Sequence, residues 1–335
     1  MAEHLKTVQH IIRNKQIVLA AVVLMMAAIF IFAVDKKPTL SQTNLEIKPE
    51  ADFVNKAEEN KIQATPIEPT TEEYFTAGTK EFDLTTTLPA ICSYQSLIDL
   101  SATSISSRQA EIPVLMYHYI ENQPATTTLP GLFISPDVFE AQLITLRRKC
   151  YQTIFVREAA EAILNGGQLS ERVVALTFDD GYEDMYTEAF PLLKKYGMKG
   201  TMYIIVNALD KPGYLTREQA KEMAESGYVE IASHTLNHAN LNQSNYYQAQ
   251  NEIINSKKTL EKIIGQEVYD FAYPYGFFTS RDEELCRQAG YLTCASTYPG
   301  QVQTYDKRFS LYRLRPGYRV GPALTNWLEF AGPKR

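Results

Sequence analysis

The sequence has no excess of positive charge. Lys and Arg number 33 against 39 Asp and Glu, a formal net charge of −6 over 335 residues. A nucleic-acid-binding chain would show a basic patch instead. Cysteine is scarce, with Cys92, Cys150, Cys286 and Cys294 the only four. Their spacing fits no zinc motif, which argues against a cysteine-built structural metal site. Cys286 and Cys294 flank an expected helix-to-strand turn and are candidates for a bridge; small buried thiols are the alternative. No internal repeat is present, which argues against a solenoid. Histidine is sparse too, five in all, and two of them, His4 and His10, precede everything that looks folded.

What is present is a long apolar run. Residues 17–34, IVLAAVVLMMAAIFIFAV, contain no polar side chain. As a helix this run spans roughly 27 Å, close to a bilayer's hydrocarbon core. Lys6, Arg13 and Lys15 precede it. The expectation is a transmembrane anchor with residues 1–16 cytoplasmic and everything after 35 extracytoplasmic. A cleaved signal peptide is the alternative, and the chain would then be secreted. Residues 35–110 have a linker composition, partly structured after 76.

From Glu111 strands and helices alternate. Strands are expected at 113–117, 173–178, 199–206, 229–233, 270–273 and 292–297. Helices are expected from Ser135-Pro136 onward and over about 183–196, 216–226, 247–264 and 280–289. Gly265 and Gly290 serve as stop signals for the last two. Such alternation points to an α/β fold with a parallel sheet, either a barrel or a doubly wound one, and chemistry in such folds collects at the C-terminal ends of the strands. Four strands end in polar residues suited to that chemistry. They are His118, the pair Asp179-Asp180, the pair His234 and His238, and the segment Pro274-Tyr275-Gly276.

Two adjacent carboxylates after the apolar run VVALTF raise each other's pKa unless a cation sits nearby. His234 and His238, four apart, share a face if their segment is helical. Two imidazoles and one carboxylate make a three-ligand site with an open position for a catalytic divalent metal. Asp180 supplies the carboxylate, and Asp179 is left as a base toward water. The same ligands accept zinc, cobalt, nickel or manganese.

In this order and at these intervals, TFDDG at 177–181, HTLNH at 234–238 and FAYPYG at 271–276 resemble the motifs of the polysaccharide deacetylases, the NodB-homology domain of carbohydrate esterase family four. PVLMYH at 113–118 resembles the branch that acts on poly-N-acetylglucosamine. The resemblance covers roughly 111–320, and the domain is bounded at 111–330. It implies a distorted (β/α) barrel, usually of seven strands in this family. It also implies metal-dependent removal of N-acetyl groups from poly-N-acetylglucosamine or peptidoglycan, with zinc the first choice of ion. Asp179 becomes the general base, and Asp180, His234 and His238 the metal ligands. The backbone N–H of Tyr275 would help hold the oxyanion.

Two departures stand out. The arginine that many members carry two places before the motif proline is replaced by Ala272. The C-terminal histidine that serves as acid in many members is missing from RFSLYRLRPGYRV at 308–320. His118 is the one histidine left for the acid. Arg313 is the expected substitute for the arginine, with Arg315 behind it. Glu183 and Asp184 are read as helix-opening acids. Tyr117, Tyr119, Tyr182, Phe277, Phe278 and Trp327 are candidates for sugar stacking or for the core. The expected partners are an acetylated glycan and the membrane, with no nucleic acid and no obligate protein partner. Two rival readings are a silent glycan-binding module on the same fold and an O-acetyl esterase.

Overall fold

The computed structural model describes residues 98–99, 109–165, 168–169 and 172–330. The apolar segment 17–34, Cys92 and most of the expected linker lie outside the described residues. Among the described residues, no helix is long and apolar enough to cross a membrane.

The strands of three or more residues are β1 (Gln109–Glu111), β2 (Val114–Tyr117), β3 (Gln152–Ile154), β4 (Val173–Phe178), β5 (Gly200–Ile204), β6 (Val229–Ser233), β7 (Asp270–Ala272), β8 (Thr293–Ala295) and β9 (Val302–Thr304). The helices are α1 (Pro136–Arg148), α2 (Val156–Asn165), α3 (Phe190–Tyr196), α4 (Arg217–Glu225), α5 (Tyr246–Ile264), α6 (Ser280–Ala289) and α7 (Gly321–Phe330). One seven-stranded sheet runs β8-β7-β6-β5-β4-β2, with β3 also paired to β4. All of its pairings are parallel. Strands β1 and β9 form a separate antiparallel pair.

The edges of the curled sheet are joined by the segment 308–314. Leu311 bridges Ala295 of β8, and Leu314 bridges Leu115 of β2. Hydrogen bonds seal both contacts, Leu311 N–H to Cys294 O at 2.9 Å and Met116 N–H to Leu314 O at 2.9 Å. This sheet geometry agrees with the expected (β/α) barrel.

Alternation along the strands sorts two apolar layers. Val174, Leu176 and Phe178 of β4 face the helices, together with Met202, Ile204, Ile231 and Phe271. Val173 and Ala175 face inward with Tyr203, Ala232, Ala272, Ala295 and Leu311. The inner layer is rich in alanine, so the lumen closes around the one large ring of Tyr203. In the outer layer Phe139 of α1 lies edge-on to Tyr117 and Phe178, at 5.3 and 5.7 Å between ring centroids. Burial of such a side chain contributes about 1.5–3 kcal/mol.

Helix boundaries follow their caps. Ser135 accepts the Val138 N–H at the start of α1, with Pro136 in its first turn. Thr216-Gln219 and Asn245-Gln248 are capping boxes for α4 and α5. Helices α5 and α6 end at Gly265 and Gly290, with φ of 71° and 82°.

Two expectations are corrected, and one alternative is decided. The helix expected over 183–196 opens instead with a π turn at Met185–Ala189, and regular α3 begins at Phe190. Pro191 is the physical reason, since it has no N–H for the carbonyl four residues back. Asp184 makes no side-chain cap bond there; its carboxylate accepts the Ile120 N–H across the structure. Cys286 and Cys294 are free and buried, while Cys150 is disulfide-bonded.

Candidate active site at the strand ends

The inward face of β4 continues from Ala175 through Thr177 to Asp179, so alternation aims Asp179 over the lumen. The next residue would point outward in a regular strand. Asp180 instead has φ of 77° and Gly181 has φ of 85°, which ends the strand in a sharp turn. His234 stands in register with Ala232 on the inward face of β6. HTLNH is not helical, which corrects the condition under which the two imidazoles were expected to share a face. It is a turn in which Thr235 and His238 both have positive φ, 68° and 57°. The turn brings the rings of His234 and His238 to 5.0 Å between centroids.

Six non-glycine residues among the described residues have positive φ, and four of them, Asp180, Thr235, His238 and Tyr275, lie in this site. Strained backbone of this kind collects where side chains must be aimed.

Asp180, His234 and His238 converge, each offering a ligand atom, with these atoms within 4.8 Å of one another. Asp180 Oδ1 is 3.4 Å from His234 Nε2 and 3.3 Å from His238 Nε2. That oxygen is buried and has no hydrogen-bond partner. His234 Nδ1 lies 2.8 Å from the Ala272 carbonyl. A carbonyl only accepts, so Nδ1 carries the proton and the Nε2 lone pair faces Asp180. Orientation of an imidazole through its far nitrogen is the usual support for a metal ligand. The donor set fits a divalent ion.

Burial would raise the Asp180 carboxyl, but the imidazoles of His234 and His238 beside it hold it far below the usual value. Burial would lower the His234 imidazole, and the carboxylates of Asp180 and Asp179 beside it outweigh this and raise it.

Asp179 is 2% exposed and meets Arg313, which is 1% exposed. The pair is bidentate, Nη1 to Oδ1 at 2.6 Å and Nη2 to Oδ2 at 2.8 Å. Arg313 Nε donates to the Ser296 carbonyl at 2.8 Å, which fixes the plane of the guanidinium. Burial pushes the Asp179 carboxyl up, and the Arg313 charge outweighs it and holds the group below its ordinary value. Ala272, where many family members place the arginine, lies buried at the end of β7 with its carbonyl on His234.

His118 follows β2, with Nε2 3.9 Å from Asp179 Oδ2. Burial lowers its imidazole pKa, against the opposing pull of Asp179 and Asp180. Tyr275, with φ of 61°, places its ring 4.6 Å from that of His238. Arg315 is exposed and makes no bond to Asp179, although its charge is felt at His118.

The aromatic candidates separate. Tyr117 is core. Tyr119 stacks on Phe133 and Tyr182 at 4.3 and 3.8 Å. Phe278 stacks on Tyr273, and Trp327 lies under Arg319. Phe277 is 52% exposed beside Tyr275. One residue was misread from the sequence, Asp184, and one was passed over, Glu252. Asp184 anchors the chain just past His118 through Ile120 N–H. Glu252 binds the turn between His234 and His238. Glu252 carried a signal, because it falls on the stripe Ala249, Ile253, Ser256, Leu260 that α5 buries.

A cation site of two imidazoles and a carboxylate, beside a second carboxylate held by arginine at the mouth of a parallel barrel, is the arrangement of a water-activating hydrolase. Comparison with known proteins narrows the class. The profile of the polysaccharide deacetylase family matches residues 166–294. YxkH of Bacillus subtilis strain 168, whose name assigns it to the polysaccharide deacetylases, is 35% identical over 233 residues, 69% of this chain and 81% of that protein. The poly-β-1,6-N-acetyl-D-glucosamine N-deacetylase of Escherichia coli K12 is 29% identical over 138 residues, 37% of this chain but only 20% of the relative. The structure of Streptococcus pyogenes deacetylase PplD in complex with acetate superposes with a TM-score of 0.62 at 30% identity, covering 66% of this chain and 98% of that one. The chain belongs to the polysaccharide deacetylase family, and is a hydrolase of that family.

Proposed function

We propose that this protein removes N-acetyl groups from an extracytoplasmic polysaccharide containing N-acetylglucosamine, poly-N-acetylglucosamine or peptidoglycan, and releases acetate. The observation that carries the reading is Asp179, held in a bidentate pair by Arg313, one residue from the Asp180-His234-His238 cluster. Those three residues would hold a divalent ion, zinc first among the candidates. The ion supplies Lewis acidity toward water and toward an acyl oxygen. Asp179 takes the proton of the attacking water. Arg313 keeps Asp179 ionised and fixes both of its oxygens. The Tyr275 N–H donates to the oxyanion, and His118 delivers a proton to the departing glucosamine nitrogen. The apolar segment 17–34 anchors the domain outside the cytoplasm in this reading.

A silent glycan-binding module would have no use for a buried carboxylate aligned by arginine beside a cation site. The test is acetate release by the purified full chain from an N-acetylglucosamine oligomer, with zinc, with cobalt and with chelator. Metal-dependent release is expected. Asp179→Asn should lower kcat by at least about 100-fold while zinc still binds. Oligomer binding without release, by metal-loaded protein, would favour the binding module. Release from an O-acetylated glycan alone would favour the esterase.

A further inference from the structure

The turn between His234 and His238 is held from two sides. On the β5 side, His234 N–H donates to Ile204 O at 2.9 Å, Val206 N–H to Thr235 O at 3.1 Å and Asn207 N–H to Leu236 O at 2.9 Å. On the α5 side there is one side chain, Glu252, which is 7% exposed. Its Oε2 accepts both Leu236 N–H and Asn237 N–H at 2.9 Å. Its Oε1 accepts Asn237 Nδ2 at 2.7 Å, and Asn237 Oδ1 in turn accepts Asn207 Nδ2 at 2.8 Å. Three donors therefore converge on one carboxylate, and the Asn237 side chain ties the two sides together.

The bonded amides belong to the two residues between Thr235 and His238, the positions whose φ is positive. Such a turn relaxes toward ordinary φ unless its amides are fixed elsewhere. Glu252 fixes them, so the His238 ring is aimed from behind by a group that touches neither histidine.

We propose that Glu252 is a positioning residue that sets the placement of His238 against His234 and Asp180, and through it the affinity of the cluster for a divalent cation. The proposal rests on reading Asp180, His234 and His238 as a metal site. A carboxylate is suited to the task because it accepts on both oxygens. In Glu252→Gln one oxygen still accepts the two backbone amides, but the new NH2 group opposes Asn237 Nδ2. Glu252→Ala removes all three bonds.

The test is zinc affinity by chelator competition on the purified full chain, measured below the thermal midpoint of every metal-free variant. Wild type, Glu252→Ala, Glu252→Gln, Asn237→Ala and His238→Ala are compared. Wild type should bind zinc and His238→Ala should not. Glu252→Ala should weaken binding by at least about tenfold, in the range seen when supports behind a ligand are removed. Glu252→Gln should recover part of that loss. If Glu252→Ala fails to fold, Glu252→Gln and Asn237→Ala carry the comparison, each expected to weaken binding by a smaller factor. Variants that melt earlier yet bind zinc as wild type does would give Glu252 a folding role only and overturn the proposal. If wild type itself binds no zinc, the metal reading fails, and that result is distinct from a wild type that binds with insensitive Glu252 variants.

Discussion

Replacing Arg313 by methionine isolates the contact on which the base depends. Methionine keeps much of the apolar length and removes the guanidinium. The variant loses two charge-assisted bonds of 2.6 and 2.8 Å to Asp179 and the 2.8 Å bond to the Ser296 carbonyl. Asp179, 2% exposed in the wild type, is left without the guanidinium that pairs with it. Removing one partner of a buried pair costs about 3–5 kcal/mol, because the other charge is stranded. Unfolding in urea should show that loss for the chelator-treated chain, followed by far-UV circular dichroism. Asp179→Asn strands Arg313 in turn and is also destabilising. The double variant relieves both, so the cycle should show a coupling of about 2–3 kcal/mol. A cost under about 1 kcal/mol for Arg313→Met, or additivity within about 0.5 kcal/mol, would refute the account.

Two further outcomes are expected. Burial raises the Asp184 carboxyl from 3.8 to about 6. Its contribution to stability is therefore complete below pH 3.8 and is lost as pH rises through about 6, up to about 3 kcal/mol in all. Asp184→Asn still offers an oxygen to Ile120 N–H but cannot ionise, so its unfolding free energy should gain on wild type between pH 4 and 7; parallel pH profiles would exclude the assignment. Gly276 and Gly265 have similar φ, 75° and 71°, but a Cβ at 276 would lie 2.0 Å from Thr297 Oγ1, whereas one at 265 meets nothing within 4 Å. Gly265→Ala should cost about 1–2 kcal/mol and Gly276→Ala clearly more, with a lower melting temperature as the readout.

Much of this was legible in the chain because periodicity and strand-end chemistry are local signals. The run VVALTF followed by two aspartates marked β4 and the mouth of the barrel at once. Helices α5 and α6 ended at the glycines that predicted them. Strand β3 and helix α2 were missed. QTI is too short to show alternation, and VREAAEAILN lacks the proline entry of α1, so the stop signal Gly166-Gly167 after it went unread. Arg313 was reached by counting what the motifs lacked, but its partner is 134 residues away and no local pattern announces that pairing. Asp184 and Glu252 were misread or passed over for the same reason. An acid at the start of a helical pattern, or on an amphipathic helix, looks like surface until the backbone amides it serves are brought to it from elsewhere in the chain.

The strap at 308–314 has a consequence for the order of assembly. Arg313 lies 134 residues beyond Asp179, so a nascent chain can carry β2 through β8 before Asp179 has its guanidinium to meet. Until the strap arrives, the sheet has two open edges and its interior charge disfavours compaction. The arrival of one short segment then seals the edges and neutralises the charge together. Closure of the sheet and pairing of the base thus depend on the same segment, and a chain truncated before 308 would lack the residues for both.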